Sequence, residues 1–344
     1  MYADNQSRRH FLGAAATAAA AFAGTQLGIA PSAHANAPAA PPTPPSSAPF
    51  GPIKQVNAGE LNIGYIDEGP ANGPVVLLLH GWPYDVHSYA DVTPLLTQRG
   101  YRVIVPYLRG YGTTKFLSSD TFRNGQQAVL ALDTIALMDA LKIEKAIIAG
   151  FDWGSRTADI VAALWPQRCK ALVSVSGYLI VNRVANMKPL SPKAELGWWY
   201  QYYFATERGR HGYDANRSEF GRLIWTIASP KWNFDDATYQ RTAAAFDNPD
   251  HVDIVIHNYR WRLSLAEGDP KYDKLEDKLS EGPVITVPTI TISSDFDGAA
   301  ADGKAYAGKF SGKYAHKILN GIGHNVPQEA PKAFADAIIE VDSY

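Results

Sequence analysis

The chain is 344 residues long, 46% apolar and 19% charged, with a formal net charge of −2. That suits a soluble enzyme built as one large domain with an insertion, and the balance carries no basic stripe for a nucleic acid. The single cysteine, Cys169, excludes an intramolecular disulfide. Flanked by WPQR and ALVSV, it reads as a small buried filler, since nothing beside it would activate a thiol.

In chain order, SRRHFLG (Ser7–Gly13) precedes an uncharged, alanine-rich run that ends in PSAHANA. Paired arginines, a weakly apolar stretch and an A-x-A-like end predict a twin-arginine export signal over 1–37, with cleavage near Ala35 or Ala37. The run is too rich in alanine, glycine and threonine to read as a membrane span. The mature protein is therefore expected in the periplasm or outside the cell, free of the membrane. Residues 38–52 form a proline-rich linker with no means of packing a core.

Beyond Ile53, LNIGYIDEG alternates like an edge strand, and PVVLLLHG is a continuous apolar run like a buried one. YRVIVPY, AIIAG and ALVSVSG repeat the buried pattern, and GQQAVLALDTIALMDALKI has helical periodicity. Strands alternating with helices predict an α/β fold: a mostly parallel central sheet with helices on both faces, over 53–178 and 283–344. Across 179–282 the strand-like runs vanish and tryptophans and tyrosines crowd in, which predicts a helical cap. VPTITISSD and YAHKILNG restore the sheet pattern, and PQEAPKAFADAIIEV predicts a closing helix.

The chemistry is concentrated in AIIAGFDWGSRTAD (Ala146–Asp159), a buried strand, a sharp turn and a helix. A serine hydrolase would carry G-x-S-x-G there. No such motif occurs in the chain, and Asp152 holds the tip of the turn. A carboxylate with a pKa of about 3.9 is ionised at neutral pH without a base, and a helix N-terminus favours its charge. It can displace a leaving group from saturated carbon and become an ester. The plainer alternative is Asp152 as a helix N-cap. Two other stretches could serve it: ISSDFDGAA offers Asp295 and Asp297, and GIGHNVPQEAP sets His324 on a glycine-rich loop.

This order of nucleophile, acid and histidine resembles the α/β-hydrolase family, in the branch with an aspartate nucleophile that holds epoxide hydrolases and haloalkane dehalogenases. The resemblance runs from about Phe50 to Tyr344 and implies the α/β-hydrolase fold. It further implies Asp152 as nucleophile, His324 as general base for ester hydrolysis, and Asp297, in preference to Asp295, as acid of the triad. In HGWP it implies an oxyanion hole from the N–H groups of Trp82 and Trp153, a cis Pro83, and His80 as packed support. An epoxide opens to an alkoxide that needs an acid, and a phenol with pKa near 10 stays protonated to supply one. WYQYYF and HNYRWR match the two stretches that carry such phenols, at Tyr200 and Tyr259; aromatic packing is the alternative role for each. Tyr107 and Tyr89 stand where many relatives have aspartate and tryptophan.

The expected reaction is hydrolysis of epoxides to diols through an aspartyl ester, with a small-molecule substrate, epoxide or halogenated, and no nucleic acid as partner. One alternative is haloalkane or haloacid dehalogenation by the same triad, for which Trp153 would suit halide binding. Another is a non-catalytic ligand-binding protein of the same fold. No cofactor is expected, for no dinucleotide fingerprint occurs. No metal is expected either: His251 and His257 lack the i,i+4 spacing of a helical metal pair.

Overall fold

A computed structural model describes residues 50–344. The predicted export signal and the linker as far as residue 49 lie outside the described residues. Nine strands form one sheet: β1 (Lys54–Ala58), β2 (Leu61–Glu68), β3 (Val75–Leu79), β4 (Arg102–Pro106), β5 (Lys115–Phe116), β6 (Ala146–Gly150), β7 (Cys169–Val175), β8 (Thr289–Ser294) and β9 (Tyr314–Leu319). Their order is β1-β2-β4-β3-β6-β7-β8-β9, with β5 added to β2. Antiparallel pairing is confined to β2 and its neighbours; every other pair is parallel. The strand read as an edge, LNIGYIDEG, is instead second from the edge. KQVNA, too polar to announce itself, folds back through Gly59 at φ 58° and covers it.

The central strands are apolar on both faces because both faces are covered. Val76 and Leu78 point into one core with Ile147 and Val173. Leu77 and Leu79 point into the other with Ile148 and Leu172. Helices Val92–Thr97 and Pro331–Asp342 pack in the first core, Gln127–Ala140 and Trp153–Leu164 in the second. The predicted closing helix is two, Val326–Glu329 and Pro331–Asp342. Pro331 has no N–H to continue the first and is well suited to begin the second. Cys169 is fully buried, its thiol donating to the Ala171 carbonyl at 3.3 Å, and burial pushes its pKa up to about 12.

Between β7 and β8 the chain runs through successive helices, from Arg183–Asn186 to Asp273–Ser280. Their aromatic residues gather over the loop that follows β3. Trp82 is ringed by Tyr200 (5.0 Å between centroids), Tyr259 (5.3 Å), Phe204 (5.6 Å) and Tyr213 (6.0 Å). Trp225 stacks on Tyr84 at 5.2 Å, and its indole N–H donates to the Pro83 carbonyl at 2.8 Å. Large rings with one polar tip both fill this volume and bond across it. No helix among the described residues is long and apolar enough to cross a membrane.

Candidate active site

The turn after β6 holds Asp152 at φ 54°, a left-handed conformation that costs a non-glycine residue about 1–3 kcal/mol. Its neighbours are glycines for want of space. A Cβ on Gly154 would lie 1.8 Å from the Leu79 carbonyl oxygen, and one on Gly81 2.3 Å from Asp152 Oδ1. The Asp152 side chain does not cap the helix that it precedes. Instead Oδ1 accepts the Trp82 N–H at 2.7 Å, and Oδ2 lies 3.4 Å from His324 Nε2. Burial acts to raise this carboxyl's pKa, but His324, Arg156 and the Trp82 N–H outweigh it and hold the group below its ordinary value. The carboxylate is thus ionised at neutral pH and has one oxygen already on a backbone donor.

The Trp82–Pro83 peptide is cis, as the resemblance implied. His80 is fully buried: Nδ1–H donates to the Gly81 carbonyl at 3.0 Å, while Nε2 accepts the Leu108 N–H at 3.1 Å. Burial pushes its pKa down to about 4, and with both nitrogens engaged it braces the loop. A second chain of bonds braces Trp82 itself. Its indole N–H donates to the Tyr213 hydroxyl at 2.8 Å, Tyr213 donates to His251 Nε2 at 2.8 Å, and His251 Nδ1–H donates to the Gly110 carbonyl at 2.9 Å. Trp153, the other residue read as an oxyanion donor, opens the helix, where backbone N–H groups have no intrahelical acceptor.

His324 is held from two sides. Its N–H donates to Ser229 Oγ at 3.0 Å and to the Ala228 carbonyl at 3.2 Å, both in the helical insertion. Glu329 takes the N–H groups of Gly323 (2.7 Å) and Asn325 (3.0 Å) and the Ser229 hydroxyl (2.6 Å), closing a clamp around the loop. Neither aspartate of ISSDFDGAA reaches the imidazole, so the structure does not assemble the expected Asp297–His324 pair. Asp297 Oδ2 accepts the Ser294 N–H at 2.8 Å, capping its own short helix, while Asp295 is taken by Lys231 (2.7 Å) and the Gly321 N–H (3.1 Å). Phe296, between them, lies against the imidazole at 4.2 Å, and His324 Nδ1 is buried with no hydrogen-bond partner.

Tyr200 and Tyr259 come together above the nucleophile, edge to face with centroids 5.4 Å apart. Burial, with the Asp152 charge adding to it, raises both phenol pKa values, so both stay protonated at neutral pH. Tyr259 also packs on Trp153 at 5.8 Å, whose buried indole N–H has no hydrogen-bond partner. Sequence reasoning missed Ser229, Glu329, Tyr213 and Arg156. Only Arg156 carried a signal: it stands in the elbow stretch itself, four residues past Asp152.

Residues 74–324 match the family described as the alpha/beta hydrolase fold. A solved Klebsiella pneumoniae structure, provisionally described as an epoxide hydrolase, is 59% identical with a TM-score of 0.83, covering 85% of this chain and 97% of that one. Epoxide hydrolase B of Mycobacterium tuberculosis is 33% identical over 150 residues, 40% of this chain and 41% of that protein. Against the first curated relatives the similarity thus spans well under half of their length. A haloalkane dehalogenase of Mycobacterium marinum is 27% identical over 63% of this chain and 72% of its own. The chain belongs to the α/β-hydrolase family and is epoxide hydrolase-like within it.

Proposed function

We propose that the protein hydrolyses epoxides to diols through an ester of Asp152. Asp152 Oδ2 attacks an epoxide carbon as the carbon–oxygen bond breaks, and Tyr200 or Tyr259 gives its proton to the departing oxygen. Oδ1, on the Trp82 N–H, becomes the ester carbonyl oxygen. His324 Nε2 then takes a proton from a water that attacks this carbonyl carbon, with the Trp82 and Trp153 N–H groups as oxyanion donors. The diol leaves with Oδ2, His324 returns its proton to that oxygen, and the phenolate is reprotonated through solvent. The observation that carries the reading is the pairing of two buried, protonated phenols over an ionised carboxylate.

In this reading Asp297 completes the triad when the turn Asp295–Ala300 carries it onto Nδ1. Two things support this: a buried N–H without a partner costs about 1–3 kcal/mol, and the adjoining Phe296 already touches the ring. Asp295 has two partners to give up and Asp297 one. The test is intact-mass spectrometry of His324→Gln incubated with styrene oxide. An adduct of the epoxide's mass on Asp152 is expected; no adduct, and no diol from the parent enzyme, would overturn the proposal.

Dehalogenation is the second reading, favoured by the unpartnered Trp153 indole N–H as a ready halide donor. Halide release from chlorinated or fluorinated substrates would establish it. The leader over 1–37 is proposed to direct twin-arginine export, tested by whether replacing Arg8 and Arg9 with lysine retains the protein in the cytoplasm.

A further inference from the structure

The short stretch from Arg123 to Gln127 leads into the core helix Gln127–Ala140 and grips the helical insertion along its length. Arg109 fastens it to the core. That buried side chain donates from Nη1 to the Asn124 carbonyl at 2.8 Å, and from Nε and Nη2 to Asp133, in the same core helix, at 2.6 and 2.7 Å. On the side of the insertion, Arg123 Nε donates to Asp250 Oδ1 at 2.8 Å, where helix His251–Arg262 begins. Gln127 Oε1 accepts the Val181 N–H at 2.8 Å, and Nε2 donates to the Val181 carbonyl at 3.0 Å and to Glu276 at 3.1 Å. One amide thus ties the first residues of the insertion to its last helix.

Gly125 makes the closest approach. Its N–H donates to His257 Nδ1 at 2.9 Å, and its carbonyl accepts from Asn258 Nδ2 at 2.6 Å. Two successive side chains of one helix therefore hold both backbone groups of a single core residue, and Tyr259 is the next residue along. No side chain could stand at Gly125: a Cβ would lie 2.6 Å from the Ile254 carbonyl oxygen and 2.9 Å from the Asn258 nitrogen. His257 Nδ1 is free to accept because Nε2–H donates to the Glu267 carbonyl at 2.9 Å, and burial, lowering its pKa, keeps the ring neutral. Asn258 is 1% exposed, and its Oδ1 is buried with no hydrogen-bond partner. Leaving half of a buried amide unsatisfied is costly, so an asparagine there is explained by the bond that its other half makes.

We propose that Asn258 is a positioning residue for Tyr259: with His257 it locks the helix to Gly125 at the height and rotation that aim the phenol at the departing epoxide oxygen. This rests on the reading of Tyr259 as a proton donor in epoxide opening. Successive residues of a helix differ by about 100° around its axis, so bonds at two of them oppose rotation as well as sliding. The lock matters because a proton donor misplaced by about 1 Å loses about 10²-fold in rate.

The test follows formation of the Asp152 ester in single-turnover stopped flow, using the full-length chain and two epoxides. Opening 1,2-epoxypropane at its terminal carbon leaves a strongly basic alkoxide. Its trifluoromethyl analogue leaves one that the fluorines stabilise, so that it needs an acid far less. Asn258→Ala and His257→Ala are each expected to slow ester formation from 1,2-epoxypropane by about tenfold or more, and from the trifluoromethyl analogue by about threefold or less. Ester hydrolysis should keep the parent rate, because it draws on His324, which Ser229 holds from outside this helix. Equal slowing with both epoxides would show a general loosening of the fold and would overturn the proposal, as would parent rates in both variants. His257 is only half-buried, so its variant keeps the test open if Asn258→Ala does not fold. A parent that forms no ester from either epoxide would sink the epoxide reading and this proposal together. Ester formation that Tyr259→Phe slows and neither of the other variants does would sink the positioning alone.

Discussion

Glu329→Gln attacks the clamp on the His324 loop without touching a reacting group. The carboxylate accepts three bonds, from the Gly323 N–H, the Asn325 N–H and the Ser229 hydroxyl. An amide has one acceptor atom where the carboxylate has two, so at least one N–H would face an NH2 group instead of an acceptor. Leaving a buried donor unpaired costs about 1–3 kcal/mol, and the remaining bonds weaken on losing their charge. The sum is about 2–4 kcal/mol, or about 3–6 °C in Tm for a domain of this size. His324 keeps its own bonds to Ser229 and Ala228, so the fold should survive while the imidazole loosens. Loosening acts on the second chemical step, and geometry lost at an activated water costs about tenfold or more. Differential scanning fluorimetry reads the first effect, and accumulation of the ester in intact-mass spectra under steady-state turnover reads the second. A variant that melts with the parent and accumulates no ester would refute the clamp.

Tyr213→Phe removes the hydroxyl between Trp82 and His251, leaving two buried polar atoms unpaired; about 2–4 kcal/mol of stability should be lost in urea denaturation, and an unchanged midpoint would deny the bracing role. Asp159 keeps its proton in the native chain from its ordinary 3.8 up to about 8, a range over which the unfolded chain has lost it. Parent stability should therefore fall as pH rises through that window, by up to on the order of 5 kcal/mol, and Asp159→Asn should abolish that slope in pH-dependent denaturation curves. Tyr200→Phe and Tyr259→Phe should each slow ester formation from epoxides by about 10²-fold in single-turnover stopped flow, while sparing any halide substrate. Equal losses on both would assign the rings to packing.

Local chemistry made the central strands and the elbow legible. An unbroken apolar run has to be buried on both faces, and a strand that meets G-x-D-x-G before a helix has little choice of turn. Asp152, His324 and Trp82 could be singled out because each stands on a short segment whose own residues shape the loop. The edge strand KQVNA was hidden because its stability comes from pairing with β2, not from its composition. Ser229 and Glu329 are a hundred residues apart and meet only because the insertion docks on the His324 loop. Asp297 caps Ser294 and does not face His324, an orientation that the sequence by itself does not decide. Periodicity and turn chemistry act over a few residues and determined the sheet and the nucleophile's turn. Pairings across the chain were decided only when the insertion closed over the core.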